Sequence, residues 1–171
     1  YLSGVASLTR EQEQSTEATV KEVIRRLRSY QTVDGSFSYW PGGTAPNAWG
    51  TVYAIHFLLE AEKKGYLVPE GMKRNALNDL SRIARNWKPE ASYSAESEEM
   101  TQAYRLFVLA LGQVAEVGAM NRLKESKTLM SMSRYLLAAG YALVGRPDVS
   151  KELVVKTTAL TTACSGYDQT F

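Results

Sequence analysis

The residues of this chain best suited to chemistry are the carboxylates Glu96, Glu98 and Glu99. Two nearby carboxyl groups can share general acid and general base work, as in glycoside hydrolysis. The same run, Ser94-Ala95-Glu96-Ser97-Glu98-Glu99, directly precedes an apolar helical pattern. Acidic groups there favour the helix macrodipole with no catalysis required, and this is the simpler reading. The sole histidine, His56, lies between Ile55 and Phe57 on a broadly apolar helix, which favours a hydrogen-bonded packing role over base catalysis. The sole cysteine, Cys164, sits among small residues without a basic neighbour to lower its thiol pKa. A buried or incidental thiol is therefore favoured over a nucleophile. One Cys and one His give neither an internal disulfide nor a zinc framework. Phosphate-loop, dinucleotide, zincin and serine-hydrolase motifs are all missing from the sequence. The expectation is a chain that is not an enzyme and that holds no metal and no cofactor.

The feature left over is a loop, Gln31-Thr32-Val33-Asp34-Gly35-Ser36-Phe37-Ser38-Tyr39-Trp40-Pro41-Gly42-Gly43. Asp34-Gly35 and Pro41-Gly42 are turn formers, because Gly reaches positive φ without Cβ strain and Asp can bond its own backbone. A flexible linker would not carry Phe37, Tyr39 and Trp40, whose rings lose free energy in water. The three rings are expected to pack.

Helices must position this loop. Thr9 and Gln12 form a capping-box pattern, followed by a stripe of Val20, Val23, Ile24, Leu27 and Tyr30 at helical spacing. Asn47 can cap a second helix that carries Trp49, Val52, Tyr53, Ile55, His56 and Leu59 and stops at Gly65. Pro69 suits the first turn of a third, with Met72, Ala76, Leu77, Leu80, Ile83 and Trp87 inward. A fourth carries Met100, Ala103, Tyr104, Phe107, Ala110 and Leu111, and a short fifth Ala119, Met120 and Leu123. The sixth is expected to bury Leu129, Met132, Tyr135, Leu136 and Ala139; the seventh follows Arg146-Pro147-Asp148 with Val149, Leu153 and Val154. Residues 157–171 are small and polar, and read as a loop or frayed tail. Successive helices joined by short loops make antiparallel hairpins that stack as a solenoid or curl into a ring.

Composition bounds the partners. The chain has 171 residues, enough for one domain, with 20 basic and 18 acidic residues and a net charge of +2. That balance gives no nucleic-acid footprint. No run approaches the roughly 20 apolar residues of a membrane span, so no direct membrane insertion is expected. Tyr1-Leu2-Ser3 carries neither an initiator Met nor a signal sequence, which reads as a piece of a longer protein.

Taken in order, these motifs resemble a known family. Tyr1-Leu2 with Leu8-Thr9, the helix into Tyr30-Gln31, Asp34-Gly35-Ser36-Phe37-Ser38-Tyr39-Trp40, and Asn47-Ala48-Trp49 are similar to the thioester domain of alpha-2-macroglobulins and complement components. The bacterial branch is the nearer match. Tyr39-Trp40-Pro41-Gly42-Gly43, Ala54 to Ala61 with Gly65-Tyr66, Ala103-Tyr104-Arg105-Leu106, Gly118 to Leu123 and Tyr135 to Ala139 all resemble it. The signature positions are thus Asp34, Gly35, Phe37, Tyr39, Trp40, Pro41, Gly42 and Trp49. The resemblance implies an all-α fold, a partial α/α toroid of stacked antiparallel hairpins, with residues 1–171 a single helical domain or a fragment of a thioester domain.

It also implies a function outside these residues. In the family, Cys and Gln of a Cys-x-Glu-Gln motif form an internal thioester that couples to an attacking protease. This chain has no such motif, and Cys164 is followed by Ser165-Gly166-Tyr167, so it is no stand-in. In the family that motif lies just upstream of the position matching Tyr1, so either this chain begins after the motif or its parent lacks it. The parent would be an endopeptidase inhibitor of the periplasm, cell envelope or exterior, meeting target proteases and its own neighbouring domains. Complement relatives carry a His near the segment reading Tyr93 to Glu99, and none occurs there; for a parent that has a thioester, this implies amine coupling over hydroxyl transfer. Phe37, Tyr39 and Trp40 are expected to fix the first hairpin and keep a reactive region dry. Two other classes remain open: a helical-repeat binding module, and a toroid lyase or glycosidase using Glu96, Glu98 or Glu99.

Overall fold

The computed structural model describes residues 9–89, 95–126 and 129–164, and is all-α. Its helices are α1 (Arg10–Leu27), α2 (Ala48–Lys63), α3 (Glu70–Asn86), α4 (Ala95–Leu111), α5 (Val117–Lys124), α6 (Ser131–Leu143) and α7 (Pro147–Cys164). Extended pairing among the described residues is limited to two isolated bridges, Gln31 with Phe37 and Ser38 with Pro46. No described helix is long and apolar enough to cross a membrane. The chain divides into two compact units, residues 1–76 and 77–171.

In the first unit, the expected caps set the helix starts. The Thr9 hydroxyl accepts the Gln12 amide N–H while the Gln12 side chain accepts that of Thr9, satisfying two donors that a helix start leaves open. Asn47 Oδ1 accepts the Gly50 N–H at 2.6 Å and starts α2. Of the α1 stripe, Ile24 is buried and Val20, Val23, Leu27 and Tyr30 are partly buried. The apolar coverage of α2 is broad, with Val52, Ala54, Ile55, Leu58 and Ala61 all inside.

The second unit is built around α4, where residues 101–106 and 108–110 are all buried. Glu99, early in α4, meets Met130 at the start of α6. Gly140, late in α6, faces the Phe107 backbone late in α4, so the two helices run parallel. Ser81 donates to Glu116, and Arg122 donates to the Arg85 carbonyl at 2.7 Å. That contact pair aligns the end of α3 with α5, also in parallel. Parallel alternate helices are what successive hairpins produce when they stack side by side.

Two sequence expectations differ from the structure here. On α6 the inward face is Ser133, Leu137, Ala138, Gly140 and Tyr141, while Met132 and Tyr135 are exposed. Burial follows the small residues because they let α4 approach. A Cβ at Gly140 would lie 3.2 Å from Met120 Cε and 3.6 Å from Phe107 Cα. The second difference is α7, which continues through Cys164 and takes in 157–164 of the stretch read as a loop. No Gly or Pro interrupts the sequence between Pro147 and Gly166, so nothing stops the helix there. Residues 165–171 lie outside the described residues, as does the side chain of Cys164.

Candidate functional site

The 31–43 loop is built from its own backbone outward. Thr32 N–H donates to the Ser36 carbonyl at 2.8 Å and Gly35 N–H to the Thr32 carbonyl at 3.0 Å, closing the Asp34-Gly35 turn. Gly35 has φ +107°, a conformation L side chains rarely adopt. The Gln31 amide then ties the turn to α3, donating to the Gly35 carbonyl at 3.1 Å and the Met72 carbonyl at 3.0 Å. Phe37 is clamped to α2: its N–H donates to Thr51 Oγ1 at 2.9 Å, and that hydroxyl lies 3.1 Å from the Phe37 carbonyl. At the second turn, Gly42 has φ +70° and its N–H donates to the Ser29 carbonyl at 2.7 Å. The loop is fixed, as its turn residues imply.

Its rings do not behave alike. Phe37 is 2% exposed, but Tyr39 is 68% and Trp40 71% exposed. On α2, one helical turn apart, Tyr53 is largely exposed and Trp49 partly so. Packing of all three loop rings is therefore corrected to packing of Phe37 alone. Backbone ties consume the inward positions: Ser36 and Ser38 are buried beside Phe37, and Ser38 Oγ donates to the Trp40 carbonyl at 2.6 Å. The chain turns outward from there, and Tyr39 and Trp40 meet only edge to face, 4.9 Å between centroids. A Trp40→Ala variant is expected to change unfolding free energy by less than about 0.5 kcal/mol, as at other exposed positions. Chemical denaturation followed by circular dichroism measures this directly.

The candidate catalytic residues separate. Glu96 is exposed in the first turn of α4, whereas Glu99 is buried and its carboxylate accepts the Met130 N–H at 2.9 Å. Glu99 thereby satisfies a backbone donor where α6 begins. Glu96 faces water, Glu98 is partly buried and Glu99 ties two helices together, so the three differ in exposure and in role. His56 is half-buried on α2, and burial moves its pKa below the ordinary value against the opposing pull of Glu60.

What the sequence analysis missed is a buried polar cluster in the second unit. Arg105, inside α4, is 5% exposed and donates to Gln102. Gln102 in turn donates to the Ala84 carbonyl of α3 at 3.0 Å. Arg105 Nε has no hydrogen-bond partner among the described residues. Burial pushes the guanidinium pKa down to about 10, and the charge of buried Asp79 opposes that shift. Asp79 also accepts from Arg82 Nε at 3.0 Å. The signal was present: Asp79 lies three residues after Ala76 and four before Ile83, on the apolar stripe of α3.

With this geometry in place, the chain can be set against known proteins. No family model matches it. It is 31% identical over 128 residues to an alpha-2-macroglobulin of Xylella fastidiosa strain Temecula1, covering 71% of this chain and 8% of that protein. The alpha-2-macroglobulin of Escherichia coli K12 is 28% identical over 143 residues, covering 81% of this chain and 9% of the relative. The chain is alpha-2-macroglobulin-like. Its fold agrees with the native E. coli alpha-2-macroglobulin structure at a TM-score of 0.77, over 89% of this chain and 10% of that one, with 22% identity. This alpha-2-macroglobulin-like chain thus spans less than a tenth of the length of these curated relatives.

Proposed function

We propose that this chain is a scaffold part of the thioester domain of a bacterial alpha-2-macroglobulin-like endopeptidase inhibitor. The observation that carries the reading is sequence similarity to bacterial alpha-2-macroglobulins over most of the chain, running through the loop and hairpins described above. The E. coli relative has been solved after activation by trypsin and by porcine elastase, and a Salmonella relative after reaction with methylamine. By analogy, the parent of this chain traps proteases in the cell envelope or outside the cell; a Cys-x-Glu-Gln before the position of Tyr1 would make that trap covalent. The chain itself holds neighbouring segments in place and does no chemistry. Its fixed 31–43 loop and the Glu99 tie between α4 and α6 serve that scaffold role.

The test is made on the full-length parent. Trypsin treatment is expected to expose one thiol per molecule and to permit covalent incorporation of labelled methylamine in preference to glycerol, because no His stands in the 93–99 stretch. Preferential glycerol incorporation would sink the amine-selective reading. A parent that neither releases a thiol nor retains the protease would remove the trap altogether.

A further inference from the structure

Where α1 ends against the 39–43 turn, the surface has a composition that scaffolding does not require. Arg25, Arg26 and Arg28 line an open groove of about 490 Å³ with Ser29, Tyr30 and Pro41. Glu22 accepts from Arg25 at 2.7 Å and lies 3.5 Å from Arg26, while Arg28 has no ion pair among the described residues. The groove therefore keeps a net positive charge. Beside Pro41, Tyr39 and Trp40 hold an edge-to-face pair in water. Their backbone is pinned by the Gly42 to Ser29 and Ser38 to Trp40 hydrogen bonds. A loop backbone already fixed loses little freedom on binding. Arg, Trp and Tyr are the residue types that dominate interface hot spots, and guanidinium forks match carboxylates in two-point geometry.

We propose that this surface docks an acidic polypeptide segment, the guanidiniums taking its carboxylates while Tyr39 and Trp40 take an adjoining apolar side chain. Charge complementarity selects that partner. A nucleic acid would call for a basic stripe along the chain, and the 20 basic residues are instead nearly balanced by 18 acidic ones. A lipid surface would call for a broad apolar helix face, and the solvent side of α1 is Glu, Gln, Ser and Thr. The inference requires no thioester and stands apart from the trap reading.

The test uses the full chain and a fluorescein-labelled peptide of alternating Glu and Leu, with the Gln-for-Glu peptide as control, read by fluorescence anisotropy. The Glu peptide is expected to bind at least about tenfold more tightly than the control, a difference near 1.4 kcal/mol, and more weakly as salt rises. Arg28→Glu and Trp40→Ala, both at exposed positions, are each expected to weaken binding about fivefold or more with unchanged circular dichroism. The proposal is overturned if the Glu peptide does not bind, if both peptides bind alike, or if both variants retain full affinity. Tighter binding of a single-stranded oligonucleotide or of anionic vesicles at the same residues also overturns it.

Discussion

Replacing Gly35 with alanine is expected to remove about 3–5 kcal/mol of stability, combining backbone strain at positive φ with overpacking. The φ of +107° is one cause, and the space is the other. A Cβ on Gly35 would lie 2.4 Å from the Asn75 carbonyl oxygen and 2.7 Å from its carbon. Those atoms belong to the backbone of α3 and cannot rotate away. The turn would have to lift from α3, breaking the Gln31 bonds to Gly35 and Met72 and drawing Phe37 from its place against Thr51. Gly42 provides the comparison, since it has φ +70° and open space around its would-be Cβ. Gly42→Ala is expected to cost only the conformational part, roughly 1–2 kcal/mol. Thermal unfolding separates the two, because each kcal/mol moves Tm by roughly 2–4 °C in a chain of this size. Equal losses in both variants would mean that the approach to α3 contributes nothing.

That contrast also shows which parts of the molecule were legible beforehand. Gly35 and Gly42 were both readable as turn glycines, because positive φ leaves a mark on residue type. The close approach of Gly35 to Asn75 was not, since it depends on where α3 lies in space. Five of the described helices, α1, α2, α3, α6 and α7, were readable because an end of each is punctuated locally by Thr9, Asn47, Gly65, Pro69, Pro89, Gly145 or Pro147, and α4 and α5 were readable from their apolar spacing. The choice of buried face was harder wherever a helix is apolar most of the way round. On α6 the large residues Met132 and Tyr135 drew the expected face outward by one position, when the close contact with α4 is made by Gly140. The loop rings raised the same difficulty. Hydrophobicity marks Tyr39 and Trp40 as costly to expose, but the hydrogen bonds of Ser36, Phe37 and Ser38 decide which of them can turn in. For the candidate carboxylates, spacing suggested a cluster, and only the fold reveals that Glu99 is committed to Met130 while Glu96 faces solvent.

The second large effect is expected at Asp79, where alanine should cost about 2–4 kcal/mol by leaving a buried cation with less compensation. Asp79 and Arg105 are both nearly inaccessible. Arg105 meets Gln102 on one side, while its Nε has no hydrogen-bond partner among the described residues. The attraction of Asp79 is what opposes the burial that pulls the guanidinium pKa down to about 10. At neutral pH the guanidinium stays charged, so removal of Asp79 leaves its burial offset by the Gln102 hydrogen bond but no longer by a nearby opposite charge. If that reasoning holds, the loss belongs to the pair and not to Asp79 alone. Arg105→Met, which keeps much of the side-chain volume without the charge, is expected to lie within about 1 kcal/mol of the parent. Adding it to Asp79→Ala should then recover most of the loss, giving a coupling energy above about 1 kcal/mol in a double-mutant cycle. The bond from Arg82 to Asp79 gives the competing account: Arg82 is exposed but Asp79 is buried, so Arg82→Met takes one charge-assisted bond from a buried carboxylate and is expected to cost about 1–2 kcal/mol, less than Asp79→Ala. A full-sized loss in Asp79→Ala that persists beside Arg105→Met would shift the role of Asp79 from the buried guanidinium to its own helix.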